Sequence, residues 1–294
     1  TNMAGGETLF PVKFWGQVAK KRNPFEEVQH VPPEFVNFSA GLDEWAPDGE
    51  VIPRGTQLTD LYGLLENSLP QIVAQAQNEY EAHLAELLGF GDQTTKGPLG
   101  VGGGVTQYDG LKHFATNKFL NPNRPAVGRF SNLRRNVRLD RAGLIAGFQQ
   151  LDSVKGPNGR PLRMPGQLLV VVSTEDQYDR AAAELFTKQQ ARPIGANAGA
   201  AIDNTPNVQG RAGLVKLTDL QDMDDGKGWY VMKIATAQHR PFVLNMKERP
   251  QVYIEGMNPN EHSRVTRNLI KYGWRGFWGM GYLWPQLSVK FVER

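Results

Sequence analysis

The sequence has no cysteine at any of its 294 positions. Disulfides, thiolate zinc sites and cysteine nucleophiles are therefore excluded together, and the absence fits a reducing compartment. Long apolar runs are also missing. The most aromatic stretch, residues 271 to 286, is cut by Arg275, by Gly273, Gly276, Gly279 and Gly281, and by Pro285. A membrane-spanning helix needs about 20 consecutive apolar residues, so the expectation is a soluble chain with no membrane partner. Thr1 to Val12 lacks the charged and apolar regions of a secretory signal. A start at Thr1 fits either removal of an initiator methionine or a maturation cleavage.

Catalytic patterns are scarce as well. The five histidines (His30, His83, His113, His239, His262) are scattered, without HExxH or paired ligand spacing. No G-x-S-x-G nucleophile elbow occurs. Glu175, Asp176 and Asp179 bunch where a helix should begin, and carboxylates favour the positive end of a helix dipole. The glycine run "GPLGVGGGV" (97–105) invites a phosphate-loop reading but lacks G-x-x-x-x-G-K-[ST]; a loop is the better reading. No catalytic, metal or cofactor site emerges, and the chain reads as something other than an enzyme.

What is present is a divided charge. Residues 1–110 hold 6 Lys/Arg against 15 Asp/Glu, net −9, whereas residues 111–165 hold 11 against 2, net +9. Such regions pair within the chain, pair between copies, or offer a basic face to phosphate. Five arginines fall in "RFSNLRRNVRLDR" (129–141). Their planar guanidinium forks suit carboxylate and phosphate alike. The segment matches no recognition helix or ribonucleoprotein motif, so sequence-specific readout is not expected. Arg129, Arg134, Arg135 and Arg138 are the candidate residues for contacts between subunits or with DNA.

Periodicity gives the order of elements. The first 65 residues alternate short β-rich pieces ("TLFPVKFWGQV", "PEFVNFSA") with turn signals at Asn23-Pro24, Pro32-Pro33, Asp48-Gly49 and Pro53. These runs are too short to enclose a core, yet their aromatics argue against plain disorder. They read as arms that lie across other surfaces. "SLPQIVAQAQNEYEAHLAELLGFG" predicts a helix over 69–88, with Ser68 as N-cap, Pro70 in the first turn and Gly89 as the stop. Residues 89–138 read mostly as loops. Asp140 caps a second predicted helix, "RAGLIAGFQQLDSV". "QLLVVVS" has the continuous apolar pattern of a strand buried on both faces and feeds a helix with Thr174 and Gln177 at capping-box spacing. Further strands are expected at 213–217, 229–235, 241–246 and 250–255, with a turn at Asp224-Asp225-Gly226, and two long strands in the last 32 residues. The class is α+β.

The aromatic run reads as core. A buried tryptophan removes roughly 150–250 Å² from water, worth about 4–6 kcal/mol as an upper bound. Trp274, Trp278 and Trp284 together rival a domain's net stability of about 5–15 kcal/mol.

In order, "ELLGFG", "YDGLKHF" (108–114), "SNL" (131–133), "GPNGRPL", "GQLLVVVSTEDQYDRAAAELF", "GWYVMKIATAQHRPFVLNMKERPQV" and "YGWRGFWGMGYLWPQLSVKF" make a set that resembles the bacteriophage Mu-like major head subunit (the gpT family), from about residue 79 to 291. That family has the Hong Kong 97 phage capsid fold. Before residue 65 the chain is shorter and different from the family pattern. The resemblance implies an N-terminal arm and extended loop over 1–65, and a peripheral domain over 66–138 with 69–88 as its spine helix. It also implies a mainly axial domain over 139–260 and long C-terminal strands over 261–294 that return through the core. It implies a major head protein of a tailed phage or prophage that self-assembles as pentamers and hexamers around double-stranded DNA, without sequence specificity. Portal, scaffold and decoration proteins would be its partners, the virion its location, and the bacterial host cytoplasm its place of assembly. Three other readings stand beside this one: an encapsulin-like compartment shell, a nucleotide-binding enzyme using the 97–105 loop, and a non-viral nucleic-acid-binding module.

Overall fold

The computed structural model describes residues 8–13, 35–46, 50–53, 64–105, 107–162, 165–186, 208–236, 239–255 and 269–294. The expected turns at Asn23-Pro24, Pro32-Pro33 and Asp48-Gly49 lie outside these residues, as do Phe14, Trp15, Phe25, His30 and His262. Strand β1 (Thr8–Lys13) pairs with β2 (Phe35–Ala40), and short strands β3 (Asp43–Trp45) and β4 (Glu50–Pro53) follow. The described chain forms two compact units, each drawn from separate stretches. One comprises 1–10, 39–84 and 243–281, the other 11–38, 85–242 and 282–294.

Helix α1 (Leu64–Gly89), which lies in the first unit as far as Leu84, begins four residues before Ser68. Ser68 is therefore not its N-cap, and Pro70 sits inside it rather than in its first turn. Leu64, Leu65 and Glu66 are strong helix formers and carry the helix upstream. Beside it lies a sheet in the order β11 (Phe242–Glu255), β12 (Leu269–Tyr282), β3, with β4 also on β12. Two strands were expected at 241–246 and 250–255; the structure has one, running through Arg249-Pro250. At the edge of a sheet one side of the ladder is unpaired, so a proline N–H can be spared.

The aromatic run is itself mostly strand β12. Its Phe277 and Trp278 pair with Glu44 and Asp43. A Cβ on Gly279 would stand 1.7 Å from the Gly41 carbonyl oxygen, so only glycine lets the two backbones come this close.

The second unit is built on a five-stranded mixed sheet in the order β7 (Leu133–Arg135), β13 (Ser288–Val292), β10 (Gly228–Ile234), β8 (Gln167–Val172), β9 (Ala212–Lys216). Strand β8 lies between antiparallel β10 and parallel β9, which explains its unbroken apolar sequence. Helix α2 (Arg141–Ser153) packs on this sheet, and the Asp140 carboxylate accepts a bond from the Gly143 N–H at 2.8 Å, as the N-cap reading expects. Leu144, Phe148 and Leu151 join Val170, Val172, Trp229, Val231 and Phe291 in the core, with Trp229 stacked on Phe291 at 4.1 Å.

Helix α3 (Glu175–Phe186) follows β8. The Gln177 N–H donates to Thr174 Oγ1, but Gln177 Oε1 accepts from Ser173 rather than from Thr174. The capping box has slipped by one residue on its return bond. Among the described residues between Phe90 and Asp140, the two-residue strands β5 (Lys118–Phe119) and β6 (Arg129–Phe130), a 3-10 turn and β7 interrupt the loops.

Candidate assembly interface

The three tryptophans divide between the units. Trp274 and Trp278, 3 % and 0 % exposed, belong to the first. Trp278 is surrounded by Tyr80 (ring centroids 4.9 Å apart), Trp274 (5.5 Å) and Trp45 (6.0 Å), so it fills the space between α1 and the sheet. Its indole N–H donates to His83 Nδ1 at 3.2 Å, and its carbonyl accepts from Trp45 Nε1 at 3.0 Å. Trp284, 1 % exposed, lies in the second unit with its ring edge-on to Phe38 at 5.2 Å.

The glycine loop carries a result that sequence reasoning missed. Glu86, fully buried in the last turn of α1, points its carboxylate into residues 97–102. It accepts from the backbone N–H groups of Leu99 (2.5 Å), Val101 (2.7 Å) and Gly102 (2.8 Å). Such converging N–H groups make an anion cradle, and here the protein's own carboxylate fills it. A Cβ on Gly102 would meet the Glu86 carbonyl oxygen at 2.3 Å, so the loop's glycines serve close packing. The nucleotide-binding reading of 97–105 is thereby corrected: its donors are already taken. The one clue in the sequence was an acid flanked by apolar residues ("AELLGFG") just before a glycine run.

A buried ion pair meets the same end of α1. The Lys290 ammonium donates to the Gly89 carbonyl and to Asp92, both at 2.8 Å, a cation at the negative end of the helix dipole. Tyr282 donates to the Leu87 carbonyl at 2.9 Å and accepts from the Gly103 N–H at 3.2 Å; burial pushes its phenol above the ordinary range. Lys118, also buried, donates to Asp109 (3.1 Å) and to the Lys112 carbonyl (2.5 Å). Burial lowers its pKa while Asp109 opposes that shift. Among the described residues no group of three or more histidine, aspartate or glutamate side chains is arranged to hold a metal ion. No described helix is long and apolar enough to cross a membrane.

The four candidate arginines are all exposed. They do not form one patch. Arg134 and Arg135 are neighbours on β7, an edge strand of the five-stranded sheet, so their side chains point to opposite faces. Arg134 donates to Gln150 of α2 at 2.9 Å, whereas Arg135 reaches Asp92 at 4.0 Å on the other face. Arg129 lies on β6 with its guanidinium 3.9 Å over the Phe119 ring. Arg138 precedes α2; burial would raise the nearby Glu293 carboxyl, but Arg180, paired with it at 2.9 and 3.0 Å, and the Leu139 N–H hold it low, with the Arg138 charge adding least.

The buried histidines set a pH dependence. Burial holds His83 down at about 4, and His113 well below 6.5, where burial acts first and the Lys118 charge second. Unfolding lets both bind protons near pH 6.5, so their contribution to stability is complete above that pH and is lost as the pH falls toward 4. Asp224 acts oppositely. Burial raises it to about 6, so its contribution is present below its unfolded value and lost as the pH rises through 6. Asp224 offsets part of the histidine effect between pH 7 and pH 5, but two depressed histidines outweigh one raised carboxyl, so the wild-type protein is expected to lose thermal stability over that range. His83→Gln, which keeps an acceptor for the Trp278 N–H, should narrow that loss. An unchanged difference between the two melting temperatures would exclude His83 as a source.

No protein-family model and no curated protein matches the sequence. Solved structures do match, along the whole chain. The capsid of the cyanophage P-SCSP1u aligns with a TM-score of 0.59 at 9% identity, covering 100% of this chain and 85% of that one. The mature capsid of bacteriophage PhiM1 aligns at 0.54 and 12% identity, covering 99% and 83%. The capsid of the cyanophage Pam1 aligns at 0.52 and 11% identity, covering 98% and 85%. The fold is that of these phage capsid proteins, the Hong Kong 97 type, and it is α+β as the sequence pattern predicts.

Proposed function

We propose that the chain is the major capsid protein of a tailed bacteriophage or prophage. Copies assemble as pentamers and hexamers into an icosahedral shell around double-stranded DNA. The observation that carries this reading is a fold shared with phage capsid proteins over the full length of the chain. The ordered motifs from residue 79 to 291 support a place near the Mu-like head subunits within that fold. On this reading residues 1–65 are the arm and extended loop, and α1 is the spine helix of a peripheral domain. The five-stranded sheet with α2 and α3 forms the axial domain. Portal, scaffold and decoration proteins are its partners, and the shell is built in the bacterial cytoplasm. The role is structural rather than enzymatic. An encapsulin-like shell is separated by contents: purified particles should protect double-stranded DNA from nuclease, and particles holding discrete enzyme cargo without DNA would favour the compartment instead.

Arg134 and Arg135 fit subunit contacts better than a DNA-facing surface, because they point to opposite faces of β7 instead of lining one basic patch. Each exposed ion pair contributes only about 0–1 kcal/mol, but a closed shell repeats it in every copy. Reversing Arg134 and Arg135 to glutamate should weaken empty-shell assembly, most at low ionic strength where screening is least. Light scattering of the two single variants identifies the responsible face. Normal empty shells, with loss of stability confined to DNA-filled particles, would assign the arginines to the DNA instead.

A further inference from the structure

Within the first unit, α1 and the β11–β12 sheet leave an open groove of about 340 Å³, lined by Ala76, Tyr80, Met246, Arg249, Val252 and Trp274 among others. Two observations make it more than a surface dent. Met246 and Val252, 36 % and 39 % exposed, are apolar side chains facing solvent on a strand that has a neighbour on only one side among the described residues. In the same lining, the Trp274 indole N–H and the Tyr80 hydroxyl are buried polar groups with no hydrogen-bond partner among the described residues. A buried donor left unpaired carries its full desolvation cost, so native proteins rarely leave two lining one groove.

The lining defines the occupant. Two free N–H and O–H donors and one guanidinium call for an acceptor carrying negative charge, and the apolar rim calls for an aliphatic or aromatic side chain beside it. A second copy of this chain offers that chemistry: its first 110 residues carry a net charge of −9, and hold Asp and Glu interspersed with aromatic and aliphatic residues.

We propose that this groove receives a carboxylate-bearing, extended segment of a neighbouring copy, with Tyr80 and Trp274 donating to it, Arg249 pairing with it, and Met246 and Val252 covering its apolar side chain. Both donor atoms are buried, so admitting the acceptor requires a shift of the lining, which the long, unbranched Met246 and Arg249 permit. The inference rests on the capsid reading and names the receptor for one contact in the shell.

Tyr80→Phe provides a test in which folding and assembly respond differently. The hydroxyl has no partner among the described residues, so its removal should leave the melting temperature of dissociated subunits unchanged or slightly higher. In the shell it removes a bond, so the protein concentration needed for half-assembly should rise about threefold to tenfold. Arg249→Gln should act in the same direction and lose its effect at high salt. Wild-type-like assembly of both variants, or a fall in subunit melting that accounts for the loss, would overturn the proposal. So would a microscopy map of the shell with the groove empty or filled by another protein. Failure of the wild-type chain to form shells at all would instead overturn the capsid reading beneath it.

Discussion

Trp278→Ala is expected to cost about 3–5 kcal/mol, the usual range for emptying a packed aromatic site, and to yield insoluble or unassembled protein. The indole is fully buried, it touches three other aromatic rings, and its N–H is bonded to the fully buried His83. Truncation leaves a void between α1 and the sheet and strips a buried imidazole nitrogen of its donor, and neither loss can be made good by water. Trp284→Ala should match it in size, because that ring is equally enclosed in the other unit. Denaturant unfolding of the dissociated subunits measures both. Normal particles with unchanged melting in both variants would show that the aromatic run is not core.

Glu86→Ala should be nearly as damaging, by at least about 3 kcal/mol. Three backbone N–H groups converge on this carboxylate, and each left unpaired costs about 1–3 kcal/mol where water cannot replace the acceptor. Glu86→Gln should be intermediate. Its single carbonyl oxygen can still serve Val101 and Gly102, which share one oxygen in the wild type, while its amide would oppose the Leu99 N–H. Added phosphate or nucleotide offers a sharper check. If the loop were a ligand site masked by Glu86, phosphate would restore the melting temperature of Glu86→Ala; a purely structural cradle predicts no recovery.

The sequence exposed those parts of the fold that local physics decides. Asp140 at the head of α2 and the apolar run of β8 each follow from a residue's own propensity or from a short-range pattern, and the structure has both where the pattern places them. Where tertiary context decides, sequence reasoning misplaced boundaries. Ser68 with Pro70 two residues on is a strong start signal for a helix over 69–88, yet α1 runs through both. Strands over 241–246 and 250–255 read as separate, yet one strand runs through both, and the edge position of β11 among the described residues makes Pro250 tolerable inside it.

Contacts far apart in sequence were the least legible. Glu86 reads as one more helical acid until the loop at 97–102 is seen wrapped around it. His83 and Trp278, 195 residues apart, carry no shared signal. The arginine segment was legible as a charge, but the alternation of β7, which sends Arg134 and Arg135 to opposite faces, needed the strand assignment first.

The central claim is that this chain builds a closed shell from copies of itself. Sedimentation and electron microscopy of the purified, full-length protein test it most directly, with scaffold or salt added where assembly needs it. The account predicts closed icosahedral particles or pentameric and hexameric capsomers. A folded monomer of about 33 kDa, monodisperse across a wide concentration range and unmoved by scaffold or salt, would contradict it.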